Sequence, residues 1–300
     1  MKINNKYKWM VLSLLCFSQS LFSLDCREFE CESETFAEEM FDEYIHQPLK
    51  ISHTEANGIG YNSGYTTLET FLTLPDSACR TWVPFFDGRS HLSNSGKYAS
   101  NTAFGVRYVD SVVWGANLVW DYRRSDRHDY NQVGLGLESL GCTWDFRING
   151  YLPVGTIKKS EFKISHVGST SFISEHTEFA MKGVNAEVGA EVGRICDYTL
   201  YAAIGPYYFE ANKRHAFGGK SRLALQAWKY VNLEVIGSYD NLFKSIVQGR
   251  VAVNIPLPFG CPQRVYATEC CSCTENLVLR KKSIEPIERF EIIVIDRKRG

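Results

Sequence analysis

The chain has 300 residues, 33 Lys plus Arg against 34 Asp plus Glu, and a formal charge of −1. That size suits one or two domains, and the balanced charge leaves no basic footprint for nucleic acid, which is excluded as a partner. Nothing in the chain approaches the roughly 20 consecutive apolar residues of a helical membrane span, so insertion in a bilayer would have to be as a barrel.

Lys2, Lys6 and Lys8 precede an apolar run from Trp9 to Phe17, followed by Ser18 and Ser20. This predicts a secretory signal peptide over 1–23. Leu15 before Cys16 lacks the small side chain of a lipoprotein cleavage site, so no lipid anchor is expected. Residues 24–56 read as an acidic, solvated periplasmic leader, with nine carboxylates between Asp25 and Glu43 against Arg27 alone.

From there the chain alternates apolar and polar residues in segments of about ten, the pattern of a transmembrane β-barrel with a wet lumen. In WGANLVWDY, Trp114, Ala116, Leu118, Trp120 and Tyr122 fall on one face, and Asn117, Val119 and Asp121 on the other. In WDFRINGYL, Trp144, Phe146, Ile148 and Leu152 oppose Asp145, Arg147, Asn149 and Tyr151. VNAEVGAEV and VQGRVAVNI repeat the pattern. Such period-two phasing predicts an all-β fold, a transmembrane antiparallel up-and-down barrel over 57–260.

Eleven strands are expected at 65–74, 79–88, 99–109, 112–124, 129–139, 142–153, 178–194, 198–211, 217–229, 231–241 and 246–256, and Gly58 to Tyr61 is the candidate for a twelfth. An even count suits a single-chain bacterial barrel. Connections alternate between short and long, which assigns the short set to the periplasm, and the 154–177 loop, with its EFKIS run, has room for a hidden strand.

The lumen-facing polar set is Asn117, Asp121, Arg123, Glu138, Asp145, Arg147, Asn149, Glu187, Glu191 and Arg250, joined by Gln226, Glu234 and Gln248. Its mixed signs suit mutual pairing across neighbouring strands more than solute selection. Trp114, Trp120, Tyr122, Trp144, Tyr207, Tyr208 and Tyr239 are expected in the lipid-facing surface and its girdles.

The cysteines Cys26, Cys31, Cys79, Cys142, Cys196, Cys261, Cys270, Cys271 and Cys273 fall at the short turns or in the two tails. In an exported chain they are expected to form a periplasmic disulfide belt, within the chain or to neighbouring envelope proteins. Turns two strands apart stand about 10 Å from one another, so direct pairing of Cys142 with Cys196 is not expected. The C-terminal cysteines lack the two-plus-two spacing of a zinc site, and no metal or cofactor is expected. Asp126, His128 and Asp129 in one loop could orient a water, but GxSxG, HExxH and phosphate-loop motifs are absent, so no catalytic residues are assigned.

With these strands placed, one stretch becomes specific. WGANLVWDYRRSDRHDYNQVGLGLESLGCTWDFRINGYLPVG resembles the barrels of the inverse autotransporters, the intimin and invasin family. Trp120-Asp121-Tyr122, Gly134 to Glu138 and Asn149 to Pro153 carry the resemblance, and IGYNSGYTTLETFL and FFDGRSHLSNSGKYASNTAFGVRY are similar to members from chlamydia-like bacteria. The resemblance implies a twelve-stranded barrel in the bacterial outer membrane whose C-terminal linker threads the pore and presents adhesive domains outside. It also implies outer-membrane lipid, the barrel-assembly machinery and a host or cell-surface receptor as partners.

Residues 261–300 form a Cys-containing tail in which NLVLRKK and EIIVIDRK read as two short extended segments, with too little chain for an immunoglobulin-like domain of about 100 residues. Two functions follow: a barrel that anchors and translocates its own C-terminal segment, or a porin-like channel or structural envelope protein cross-linked by disulfides. The first expects Glu285 to Arg297 in the pore or outside; the second keeps them periplasmic. A soluble β-sandwich is a weaker third, because it leaves Asp, Arg and Asn on one face of nearly every strand unexplained.

Overall fold

Alternating side chains commit each strand to one wet and one apolar face, and a membrane barrel resolves that conflict by closing on itself. The computed structural model describes residues 49–73, 80–125, 128–167, 170–195, 198–228, 230–255 and 277–299. Among them, twelve antiparallel strands form a closed barrel: β1 (Leu49–Glu55), β2 (Tyr65–Thr73), β3 (Trp82–Ser93), β4 (Tyr98–Val109), β5 (Val113–Arg124), β6 (Asp129–Leu140), β7 (Asp145–Val154), β10 (Lys182–Ile195), β11 (Tyr198–Ala211), β12 (Arg214–Trp228), β13 (Val231–Asp240) and β14 (Lys244–Ile255). Closure comes from pairing the first strand with the last, Leu49 opposite Ile255. Every ladder then has two neighbours, and no edge faces lipid.

Two strands stand outside the barrel. β8 (Lys158–Val167) and β9 (Thr170–Ala180) form a hairpin between β7 and β10, which pair with each other directly. The tail contributes a helix, α1 (Leu277–Ser283), and β15 (Ile295–Arg299), which adds to the hairpin in the order β15-β9-β8.

The phase assignments hold through the wall. Leu118 and Trp120 are 57% and 51% exposed on the outer surface, whereas Asp121 is 1% exposed inside. Phe146, Ile148, Leu152, Val247 and Val251 also face outward, and Asn117, Arg123, Glu138, Asp145, Arg147 and Asn149 are buried.

Several expectations need correction. The first strand is Leu49–Glu55 rather than Gly58 to Tyr61, so the barrel begins inside what reads as the leader. Gly58 to Tyr61 instead closes a tight bridge in the β1–β2 connection. The 154–177 loop holds a hairpin, and the expected strand at 178–194 divides between the end of β9 and β10. NLVLRKK is mostly helix rather than strand, because a closed barrel offers it no edge to pair with. EIIVIDRK becomes a strand only from Ile295, where β9 does offer an edge.

The contrast in loop length is also smaller than expected. β11 and β12 are joined by Asn212 and Lys213 alone, both at positive φ (45° and 64°), as in a two-residue hairpin of the primed kind. The two ends are set instead by the start of β1 and the end of β14, which share a rim, and by the β8–β9 hairpin at the opposite one.

Leu118 sits in mid-strand, opposite Phe104 and Leu135. Replacing it with Arg costs about 2–4 kcal/mol of folding free energy in a bilayer, whereas Leu118→Met stays within about 1.5 kcal/mol. Urea unfolding of the barrel refolded in lipid vesicles measures both.

Candidate functional site

The inward faces of the strands do not line an open channel. They line a receptor for the tail, which enters at the rim carrying both barrel ends and leaves at the rim carrying the hairpin. α1 closes the first rim. Leu279 packs with Val83, Val109, Val113 and Leu140, and Cys142 and Ile284 pack against that cluster. Lys282 Nζ lies 2.7 Å from the Gly141 carbonyl and 2.7 Å from Asp145 Oδ1, and Arg280 Nη1 donates to the Arg80 carbonyl at 2.6 Å. Arg107, fully buried and ion-paired through Nε to Glu138 at 2.6 Å, receives the exit of the helix by donating to the carbonyls of Ser283 and Glu285.

Through the middle of the barrel the chain is irregular, and its groups are satisfied by the wall one after another. Arg89 is held by both oxygens of Asp87, at 2.9 and 2.7 Å, and donates to the Ile287 carbonyl at 2.6 Å. Asn149 donates to the Glu288 carbonyl at 3.2 Å, and Arg222, which also pairs with Glu187 and Glu234, lies 3.4 Å from the Glu288 carboxylate.

Arg289 makes a two-pronged pair with Asp121, both contacts 2.7 Å, while Asn101 and Gln132 donate to the same carboxylate at 2.7 and 2.9 Å. Phe290 sits among Tyr151, Tyr207 and Phe209, with ring centroids 5.4–6.1 Å away, and Lys220 Nζ lies 5.0 Å from its centroid. Its backbone N–H donates to the Tyr151 hydroxyl at 2.9 Å. Glu291 accepts from Arg89 at 2.9 Å, Arg250 at 3.1 Å and the Tyr65 hydroxyl at 3.0 Å. Charge-assisted bonds of this length are the stronger kind.

At the far rim Arg123 donates to the carbonyls of Ile293 and Gly60, and the Met181 N–H to the Val294 carbonyl. Gly60 has φ +78°, and a Cβ there would lie 2.6 Å from the Ile295 nitrogen, so this turn must be glycine for the tail to pass. Beyond it β15 pairs with β9, Arg297 reaches Glu178 at 2.9 Å, and Arg214 reaches Asp296 at 2.9 Å. The space left beside Phe290 and Glu291 is a cavity of about 40 Å³, room for a water or two.

Most of the sequence-predicted lumen residues meet here. Asp121, Arg123, Asp145, Asn149 and Arg250 touch the tail directly, and Glu138, Glu187 and Arg147 support residues that do. Glu191 does not join them: it is exposed near the first rim, beside a bulge between Glu191 and Gly193. Tyr207 is not a lipid-facing aromatic. It is 2% exposed, points inward to Phe290 and donates to Asp240 at 2.6 Å.

The residues missed by sequence reading are those whose role depends on the tail: Arg89, Arg107, Arg222 and Asn101. Each was visible as a polar residue on an inward phase, but nothing in a strand pattern shows what it faces. The inward glycines of the VGLGLE run have a local reason, since a Cβ on Gly134 would lie 2.7 Å from Arg289 Nη2.

Of the cysteines, Cys142 is disulfide-bonded; the other eight candidates lie outside the described residues. Asp126 also lies outside them. His128 faces Glu161 at 3.4 Å and Asp129 faces Arg124 at 3.3 Å, so these two do not converge on a common site. Among the described residues no group of three His, Cys, Asp or Glu could hold a metal ion.

No curated protein matches the chain significantly. A membrane protein solved in a study of in-meso crystallization shares the fold, with a TM-score of 0.58 and 12% identity over 83% of this chain and 99% of that one. The NanC porin has a TM-score of 0.41, with 11% identity over 70% of this chain and all of that one. The β-domain of the Bordetella autotransporter BrkA has a TM-score of 0.34, with 10% identity over 70% and 98%. Residues 30–177 match the family model of the inverse autotransporter β-domain. With its closed twelve-stranded barrel, the protein is a bacterial outer-membrane β-barrel, similar over residues 30–177 to the inverse autotransporter β-domain.

Proposed function

We propose that the barrel anchors its own C-terminal segment in the outer membrane and serves as the route by which that segment reaches the cell surface. The observation that carries this reading is the direction of the tail. Residues 277–299 run from the rim holding both barrel ends, past Asp121 and Arg250, to a strand on the β8–β9 hairpin at the other rim. Chain continuing beyond Arg299 would emerge on the hairpin side.

Outer-membrane lipid surrounds the wall, and assembly there requires the barrel-assembly machinery. An adhesive role toward a host or cell-surface receptor would fall to what emerges. The periplasmic cysteines would brace the other end, within the chain or to envelope proteins. No catalytic step belongs to this reading. A porin-like channel is disfavoured because the tail fills the lumen.

In intact cells, an epitope tag fused after Gly300 labels from outside as strongly as one inserted at Ser169, between β8 and β9; labelling of the loop tag alone would place the tail in the periplasm and overturn the reading. In planar bilayers the purified, heat-modifiable chain gives currents near baseline. Sustained porin-like steps would instead support the channel function.

A further inference from the structure

Resting on the reading of the lumen as an export route, we propose that Glu288-Arg289-Phe290-Glu291 is a four-residue latch, and that the barrel wall is a sequence-selective receptor for it that arrests the passing chain at one register. Each of the four has its own complementary station. Glu288 meets Arg222, Arg289 the fork of Asp121, Phe290 the cage of Tyr151, Tyr207 and Phe209, and Glu291 the group of Arg89, Arg250 and Tyr65. Asp121, Arg89 and Arg289 are all buried, so a mismatch at these stations is not relieved by solvent.

The order of the four matters as much as their presence. If the chain slips by one residue in one direction, Arg289 moves to the station of Arg222, Phe290 faces the Asp121 carboxylate and Glu291 enters the aromatic cage. In the other direction Glu288 faces Asp121, and Phe290 lies among Arg89 and Arg250. Both slips set like charges together or leave buried charges unpaired, the costly arrangement in a site of low dielectric.

Residues flanking the motif are read less strictly. Ile287 and Ile293 give their backbone carbonyls to Arg89 and Arg123, and their buried side chains pack in small apolar clusters, with Phe85, Ala103 and Val119 and with Tyr130, Ala180 and Ile295, that ask for hydrophobicity rather than a charge order. Charged contacts recur at the rims, Lys282 with Asp145 and Asp296 with Arg214, whereas inside the lumen the order of charges is read on the four consecutive side chains 288–291, as expected of a device that stops a moving chain at one register.

The test uses the full-length chain with four variants: Asp121→Arg, Arg289→Asp, the double exchange D121R/R289D, and Arg289→Gln, a milder change in the tail that leaves the wall sequence intact and removes the charge without reversing it. Heat modifiability reports the folded barrel, a C-terminal tag reports export, and bilayer current reports whether the tail is held. Each single reversal raises the time spent in open states by about a hundredfold, because one partner of a buried pair is lost; R289Q does so to a smaller extent, and the double exchange returns the pore toward its closed state.

Single reversals and R289Q that leave a folded barrel as quiet as the parent would overturn the latch, as would a double exchange no quieter than the singles. If the parent tag fails to label outside while the charge-exchange pattern holds, export is the reading that fails, and the motif stands as a plug loaded from the periplasm.

Discussion

A barrel in lipid has one place to put its charges. Its backbone is satisfied by closure, its outer face is fixed as apolar by the hydrocarbon, and every ionisable residue of mid-strand must turn inward. Inside this barrel that requirement gathers Arg89, Arg107, Arg123, Arg147, Arg222 and Arg250 with Glu69, Asp87, Asp121, Glu138, Glu187 and Glu234 in a lumen too narrow to keep each fully hydrated. Strand-to-strand pairs satisfy part of the set. The tail contributes further carboxylates at Glu288 and Glu291, a further guanidinium at Arg289 and a series of carbonyls, and with them the network becomes continuous from one rim to the other.

Wall and tail are therefore interdependent, and the two parts that break strand regularity follow from this. The β1–β2 connection folds over the mouth at the hairpin rim so that Ile59 joins Met181, Val294 and the ring cluster around Phe209. α1 packs into the opposite mouth with Leu279 against the ends of β3, β4, β5 and β6. A helix suits that place because it satisfies its own backbone where no strand edge is free. The same logic makes β15 a strand, since β9 has an open edge once the hairpin has left the wall.

The wall was legible in the sequence because its physics is local. Side chains alternate with period two, and Leu118 or Trp120 against Asp121 shows its face without knowledge of anything distant. Strand ends were less legible: the first strand, LKISHTE, is short and polar and was absorbed into an acidic stretch, and Gly58 to Tyr61 carried aromatic and glycine signals that belong to a turn. The lumen polar set was legible as a set, but not as a site. Tyr207 shows why: on phase alone an aromatic between Pro206 and Tyr208 is as good a girdle residue as a cage residue, and only Phe290, a partner 83 positions away in number, decides it. Glu191 fails for the opposite reason, since the bulge beside it takes it out of the regular pattern near the rim.

A polar interior also explains how one lumen could serve both passage and retention. An apolar plug would be held by contact area, which hardly distinguishes one register from the next. It would also present a dry face to any polar stretch of chain that had to pass first. Paired charges behave differently: while chain is moving, the wall arginines and carboxylates can satisfy one another or bind water, as Arg89 with Asp87 and Arg107 with Glu138 do here. Only a segment that offers the right charge in the right order exchanges those partners without leaving one unpaired. The buried pair of Arg289 and Asp121 thus need not contribute much net stability over an apolar alternative to be effective. Its consequence is that neighbouring registers are worse, and a large difference between registers is what holding a chain at one position requires.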